Sequence, residues 1–222
     1  METSPLLEAA KTGSVNELKK LLGKGADIDS TGKNGASALL LSAQYDHIAA
    51  VEYLLQQGAD PNQATSMGGT ALNRAAENGN VKIMEQLLEH GAEVRGLSLI
   101  TAAREGRLEA LRLLCEHGGN INATQRWEQT PLMLAAREGH TDIASYLLEQ
   151  GARFKMRDKN EETALSMALD NDHPEVATIL KKAGANDSRR ASDFEDDDEM
   201  ELEDFPFDEE LPDDIDLEER DD

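Results

Sequence analysis

The chain has 222 residues, room for one domain or at most two at roughly 100–200 residues each, and its 45 acidic against 22 basic residues give a formal net charge of −23. That excess argues against direct affinity for nucleic-acid backbones or anionic membranes, which call for clustered cations. Hydrophobic content of 39% and aromatic content of 4% are low for a chain folded from end to end.

From Met1 onward no basic segment leads into an apolar stretch, and no apolar run nears the roughly 20 residues of a membrane span. The expected protein is soluble and cytoplasmic, with the nucleus as a second location. One cysteine, Cys115, excludes an internal disulfide framework and a multi-cysteine zinc site.

Residues 4–186 repeat themselves. Gly25, Gly58, Gly91, Gly118, Gly151 and Gly184, mostly followed by Ala, are spaced 33, 33, 27, 33 and 33 apart. Twelve residues upstream of each runs Gly13, Asp46, Gly79, Gly106, Gly139 and Asp172, with the same spacings. Small pairs precede that series (Ala9-Ala10, Ser42-Ala43, Ala75-Ala76, Ala102-Ala103, Ala135-Ala136), and leucine pairs follow it, as at Leu54-Leu55 and Leu87-Leu88. Each period reads as a short helix, a turn and a second helix. Ser4, Ser37, Thr70, Thr130 and Thr163 stand as N-caps, with proline after Thr130 suited to the first helical position. The first helix ends at the Gly or Asp that tolerates a left-handed backbone. The second carries an apolar stripe such as Ile83, Met84, Leu87 and Leu88.

These residues resemble the ankyrin-repeat family. The closest match to the family's T-P-L-H-x-A signature is Thr130-Pro131-Leu132-Met133-Leu134-Ala135-Ala136, followed by Gly139-His140 and Leu147-Leu148-Glu149-Gln150-Gly151-Ala152. The resemblance implies an all-α, helix-turn-helix solenoid with short β-hairpin fingers, in units of about 2–31, 32–64, 65–95, 96–124, 125–157 and 158–186. Two departures stand out. The 27-residue interval removes six residues near Val94-Arg95-Gly96-Leu97, which predicts a truncated finger and a notch in the ridge. Lys181 replaces a leucine in the last unit, as suits an end with no neighbour to bury it.

No catalytic constellation emerges, and neither a cofactor nor a metal is expected. His47, His140 and His173 follow the Gly/Asp series, while His90 and His117 directly precede the second glycine; they are too dispersed to converge on an ion. Cys115 takes the second position of a leucine pair and is expected to be a buried small hydrophobe. The family resemblance instead implies a non-catalytic, monomeric interaction module (an adaptor, scaffold or regulatory subunit). Its protein partner would meet the finger tips and the exposed ends of the first helices. By register those positions include Tyr45, Met67, Arg104, Arg126, Trp127 and Arg137.

Residues 187–222 form a different polymer, with 20 acidic and 3 basic residues, whereas residues 1–186 hold 25 and 19. The segment is expected to be a disordered acidic tail. Its interspersed Phe194, Phe205 and Phe207 are candidate anchors, and Ser192 after Arg189-Arg190-Ala191 is a candidate phosphosite. Such composition leads to an alternative function: a chaperone or escort whose tail binds a basic client such as a histone-like or ribosomal protein.

Overall fold

The computed structural model describes residues 4–186; Ser192, Phe194, Phe205, Phe207 and the rest of 187–222 lie outside the described residues. Twelve helices occur among the described residues, as six pairs. They are α1 (Pro5–Lys11) and α2 (Val15–Leu22), α3 (Ala38–Gln44) and α4 (Ile48–Gln56), α5 (Ala71–Asn78) and α6 (Val81–Glu89). Then come α7 (Gly96–Arg104) and α8 (Leu108–Glu116), α9 (Pro131–Glu138) and α10 (Thr141–Glu149), α11 (Ala164–Asp170) and α12 (Pro174–Lys182). None is long and apolar enough to cross a membrane.

The first helix of a pair starts where a hydroxyl satisfies a free amide. Ser37, Thr70, Thr130 and Thr163, all in extended backbone, accept the amides of Leu40, Asn73, Met133 and Ser166. Such caps are worth about 0.5–2 kcal/mol each. Ser4 departs from the expected pattern: its side chain caps nothing, and only its carbonyl takes up Leu7 and Glu8. At the other end the backbone turns left-handed at Gly13, Gly79, Gly106 and Gly139, and also at Asp46 (φ 58°) and Asp172 (φ 57°).

The odd-numbered helices form one row, each packed closely on the next, and the even-numbered helices a looser second row. Small residues permit the close row: Ala10, Ser42, Ala43, Ala75, Ala76, Ala102, Ala103, Ala135 and Ala136 are wholly buried. Leu18, Leu54, Leu87, Leu111, Leu114, Leu147 and Leu180 fill the space between units, each contributing about 1.5–3 kcal/mol of apolar burial. One continuous core runs from Leu6 to Ala185. In the leucine pairs of the inner units the first member is the more deeply buried, and Cys115, like Leu88 and Leu148 in the second position, is half-buried. It is therefore less enclosed than the sequence suggests, because that position faces the edge of the outer row. Lys181 and Lys182 are exposed on the last helix.

Candidate protein-binding surface

Between successive pairs the chain projects as fingers over residues 31–37, 64–70, 124–130 and 157–163. Each tip is a tight turn closed by two backbone bonds. In the second, the Thr65 amide donates to the Gly69 carbonyl (2.9 Å) and the Gly68 amide to the Thr65 carbonyl (2.8 Å). The tip residue before the returning arm is left-handed in all four, at Gly35, Gly68, Glu128 and Glu161. The arms are too short to build a ladder, so the expected β-hairpins reduce to turns. No strand forms among the described residues, and an isolated bridge joins Thr31 to Ser37.

Neighbouring fingers are stitched through their main chains. The Ser66 amide donates to the Asn34 carbonyl at 3.1 Å, and the Lys159 amide to the Trp127 carbonyl at 3.0 Å. Buried Asp158 reinforces the second pair: its carboxylate accepts from the Asn160 and Glu162 amides and from the Gln129 side chain. Between the second finger and the one at 124–130 nothing is stitched, because the third finger is missing. There α7 begins at Gly96, where a Cβ would come within 2.6 Å of the Ala123 Cβ, so the truncated unit closes directly onto the next.

The gap is an open cavity of about 420 Å³ whose walls include Met67, Leu97, Ile100, Gln125, Arg126 and Trp127. Met67 is 85% exposed and Trp127 55%. Beneath them Ile100, Ala123 and Leu134 form a small apolar cluster of their own. Three of the residues picked out from the sequence, Met67, Arg126 and Trp127, thus meet at one place. Leu97 and Ile100 were not among them. Apolar residues on a helix read as core, and only the shortened interval signals that this pair lies under a missing finger.

Tyr45 lies elsewhere, ending α3 beside a cavity of about 630 Å³ that also involves Lys11 and Lys33. Its ring stacks on His47 at 6.4 Å, and the Lys11 ammonium lies 6.0 Å from its centroid. Arg104 and Arg137 each turn Nε to the neighbouring glutamate, Glu105 at 2.8 Å and Glu138 at 3.0 Å. Such half-exposed pairs contribute little to stability and leave a mixed-charge surface along the first helices.

The histidines are occupied by backbone. His47, His140 and His173 reach back to carbonyls one unit earlier, and His90 and His117 bond through Nδ1 to carbonyls within their own helices. Among the described residues no three His, Cys, Asp or Glu side chains are placed to hold a metal ion.

A family model described as ankyrin repeats (3 copies) matches residues 6–96 and 99–191, two blocks that meet at the truncated finger. Comparison with curated proteins gives no match. Among solved structures, the ankyrin repeat domain of human ASB11 is similar at 30% identity and TM-score 0.76, over 83% of this chain and 85% of that one. An ankyrin repeat domain from Acinetobacter baumannii AYE is 30% identical with TM-score 0.72, over 82% of this chain and 98% of its own. A chain from the complex of a predatory endopeptidase of Bdellovibrio bacteriovorus with an immunity protein is 25% identical with TM-score 0.72, over 82% and 99%. With the family model covering most of its length, this chain belongs to the ankyrin-repeat family.

Proposed function

We propose that this chain is a non-catalytic adaptor, scaffold or regulatory subunit that holds a protein partner on its finger tips and first-helix ends. Ankyrin repeats are in general protein–protein interaction modules, and one of the similar structures is itself a complex with a protein. The observation that carries the reading is where apolar surface remains. Among the described residues the exposed large hydrophobics are Tyr45, Met67 and Trp127. Two sit on fingers and one ends a first helix, with none on the second helices. Large aromatics dominate binding hot spots, worth roughly 2 kcal/mol or more each.

The test is a capture from native lysate with the full chain and with the Tyr45→Ala, Met67→Ala, Trp127→Ala triple variant, read by mass spectrometry. The expected result is a set of proteins held by the first and lost by the second. An identical set on both overturns the reading. The acidic composition of 187–222 supports a second reading, an escort for a basic client. A complex led by that segment weakens steeply between low and physiological salt, since exposed charges are screened over about 8–10 Å, and it is indifferent to the triple variant.

A further inference from the structure

We propose that the gap left by the missing third finger is a docking slot for a turn of a protein partner that presents a large apolar side chain next to a carboxylate. The inference deepens the partner-binding reading and rests on it.

Three features converge. The first is main-chain register. In the stitched finger pairs, the carbonyl of Asn34 or Trp127 accepts the amide of Ser66 or Lys159 on the next finger. By the same register the Met67 carbonyl faces the gap as an acceptor and the Arg126 amide as a donor. Among the described residues neither has a backbone partner. A visiting turn that imitates a finger meets both. The second is shape and polarity: about 420 Å³ sits at the lower end of ligand-pocket sizes, roughly 300–1,000 Å³. That admits a loop tip and excludes a folded domain. Met67 and Trp127 form its rims, with Leu97 and Ile100 in its walls. The third is charge. Among the described residues Arg126 is the one basic or acidic side chain bordering the cavity, is exposed, and takes part in no ion pair. An unspent guanidinium beside an apolar hollow selects a carboxylate adjoining the inserted side chain.

A phage-displayed library of disulfide-cyclised peptides, selected against the full-length chain, supplies the probe. Selected peptides are expected to carry Phe, Leu, Ile or Trp beside Asp or Glu. Met67→Glu and Trp127→Ala, at exposed positions that leave the fold intact, are expected to weaken them at least tenfold. Arg126→Gln is expected to do the same and to flatten the salt dependence, while Lys182→Ala, exposed on α12, leaves affinity unchanged. Inserting six residues after Arg95 restores the 33-residue interval; with helix content and melting point retained, it is expected to abolish binding by filling the slot with a finger. Peptides that bind but ignore Met67→Glu, Trp127→Ala and the insertion overturn the slot and leave the partner-binding reading standing. A library that yields no binder to any face overturns both.

Discussion

His140 reaches back across one unit and donates from Nε2 to the carbonyl oxygen of Arg104 at 2.8 Å. The last carbonyls of a helix lack partners within it, and every junction between units meets this need with a side chain from the following unit. His47 serves Lys11, Asn78 serves Gln44, Arg107 serves Glu77 and His173 serves Arg137.

His140→Ala removes that bond and the ring packed against Gly106. The expected cost is about 1–2 kcal/mol, since a net hydrogen bond is worth roughly 0.5–1.5 kcal/mol and some packing goes with it. Arg107 fills the same role one unit earlier, so His140→Arg should lose less than His140→Ala. Urea unfolding of both variants at one fixed pH checks the order, and equal losses rule out the carbonyl bond as the cause.

Gly139 tests the same junction from the other side. Its φ is +78°, and a Cβ there would lie 2.6 Å from the His173 ring. Gly139→Ala is expected to cost roughly 1–3 kcal/mol, the range for a residue held in a disfavoured backbone region. His173→Ala in the same chain relieves the collision but not the left-handed backbone, so the double variant remains less stable than His173→Ala alone. A double-mutant cycle in urea separates the two contributions, and full recovery would show that the ring collision is the whole cost.

The period made most of this scaffold legible. The glycine and aspartate series fixed where first helices end, and the alanine pairs fixed which row packs closely. Choices among near-equivalent side chains were not legible. Asn80 stands at the histidine position of its unit but bonds Asp46, and Asn78 supplies the carbonyl contact instead; only three-dimensional reach decides between them. Ser4 carries the right hydroxyl and caps nothing. The notch followed from one interval of 27 residues, but its inner wall, Ile100, depends on how tightly Gly96 lets α7 close on Ala123.

Burial pushes the Cys115 thiol up from its ordinary range; a hydrogen bond with Tyr146 works against that, and the charge of Glu116 adds to it. Less thiolate at neutral pH means slow alkylation in the native protein and fast alkylation in denaturant. Because the folded pKa lies above the unfolded one, the unfolded chain gives up this proton first. The linked stability is intact below the ordinary thiol range and declines as pH rises through it. Iodoacetamide labelling across pH in native and denaturing buffer reads the first effect. Equal rates in both would mean that the thiol is open to solvent.

The junction behind the notch also lacks a rung found elsewhere. Asp29, Asn62 and Asn122 each accept, through a side-chain oxygen, an amide of the following unit, from Asp60 at 3.0 Å, Glu93 at 2.8 Å and Arg153 at 2.8 Å. Arg95 holds the equivalent position in the third unit and has no acceptor to offer the Asn120 amide. It also stands uncapping before α7, and its ion pair with Glu93 is exposed, so little is lost by replacing it. Arg95→Asn supplies an acceptor for Asn120 and a favourable N-cap residue together, each worth about 0.5–1.5 kcal/mol. The variant is expected to melt higher and to slow hydrogen exchange at Asn120. If the melting point is unchanged and Asn120 exchanges as before, the shortened unit holds its neighbour too far away for the rung to form.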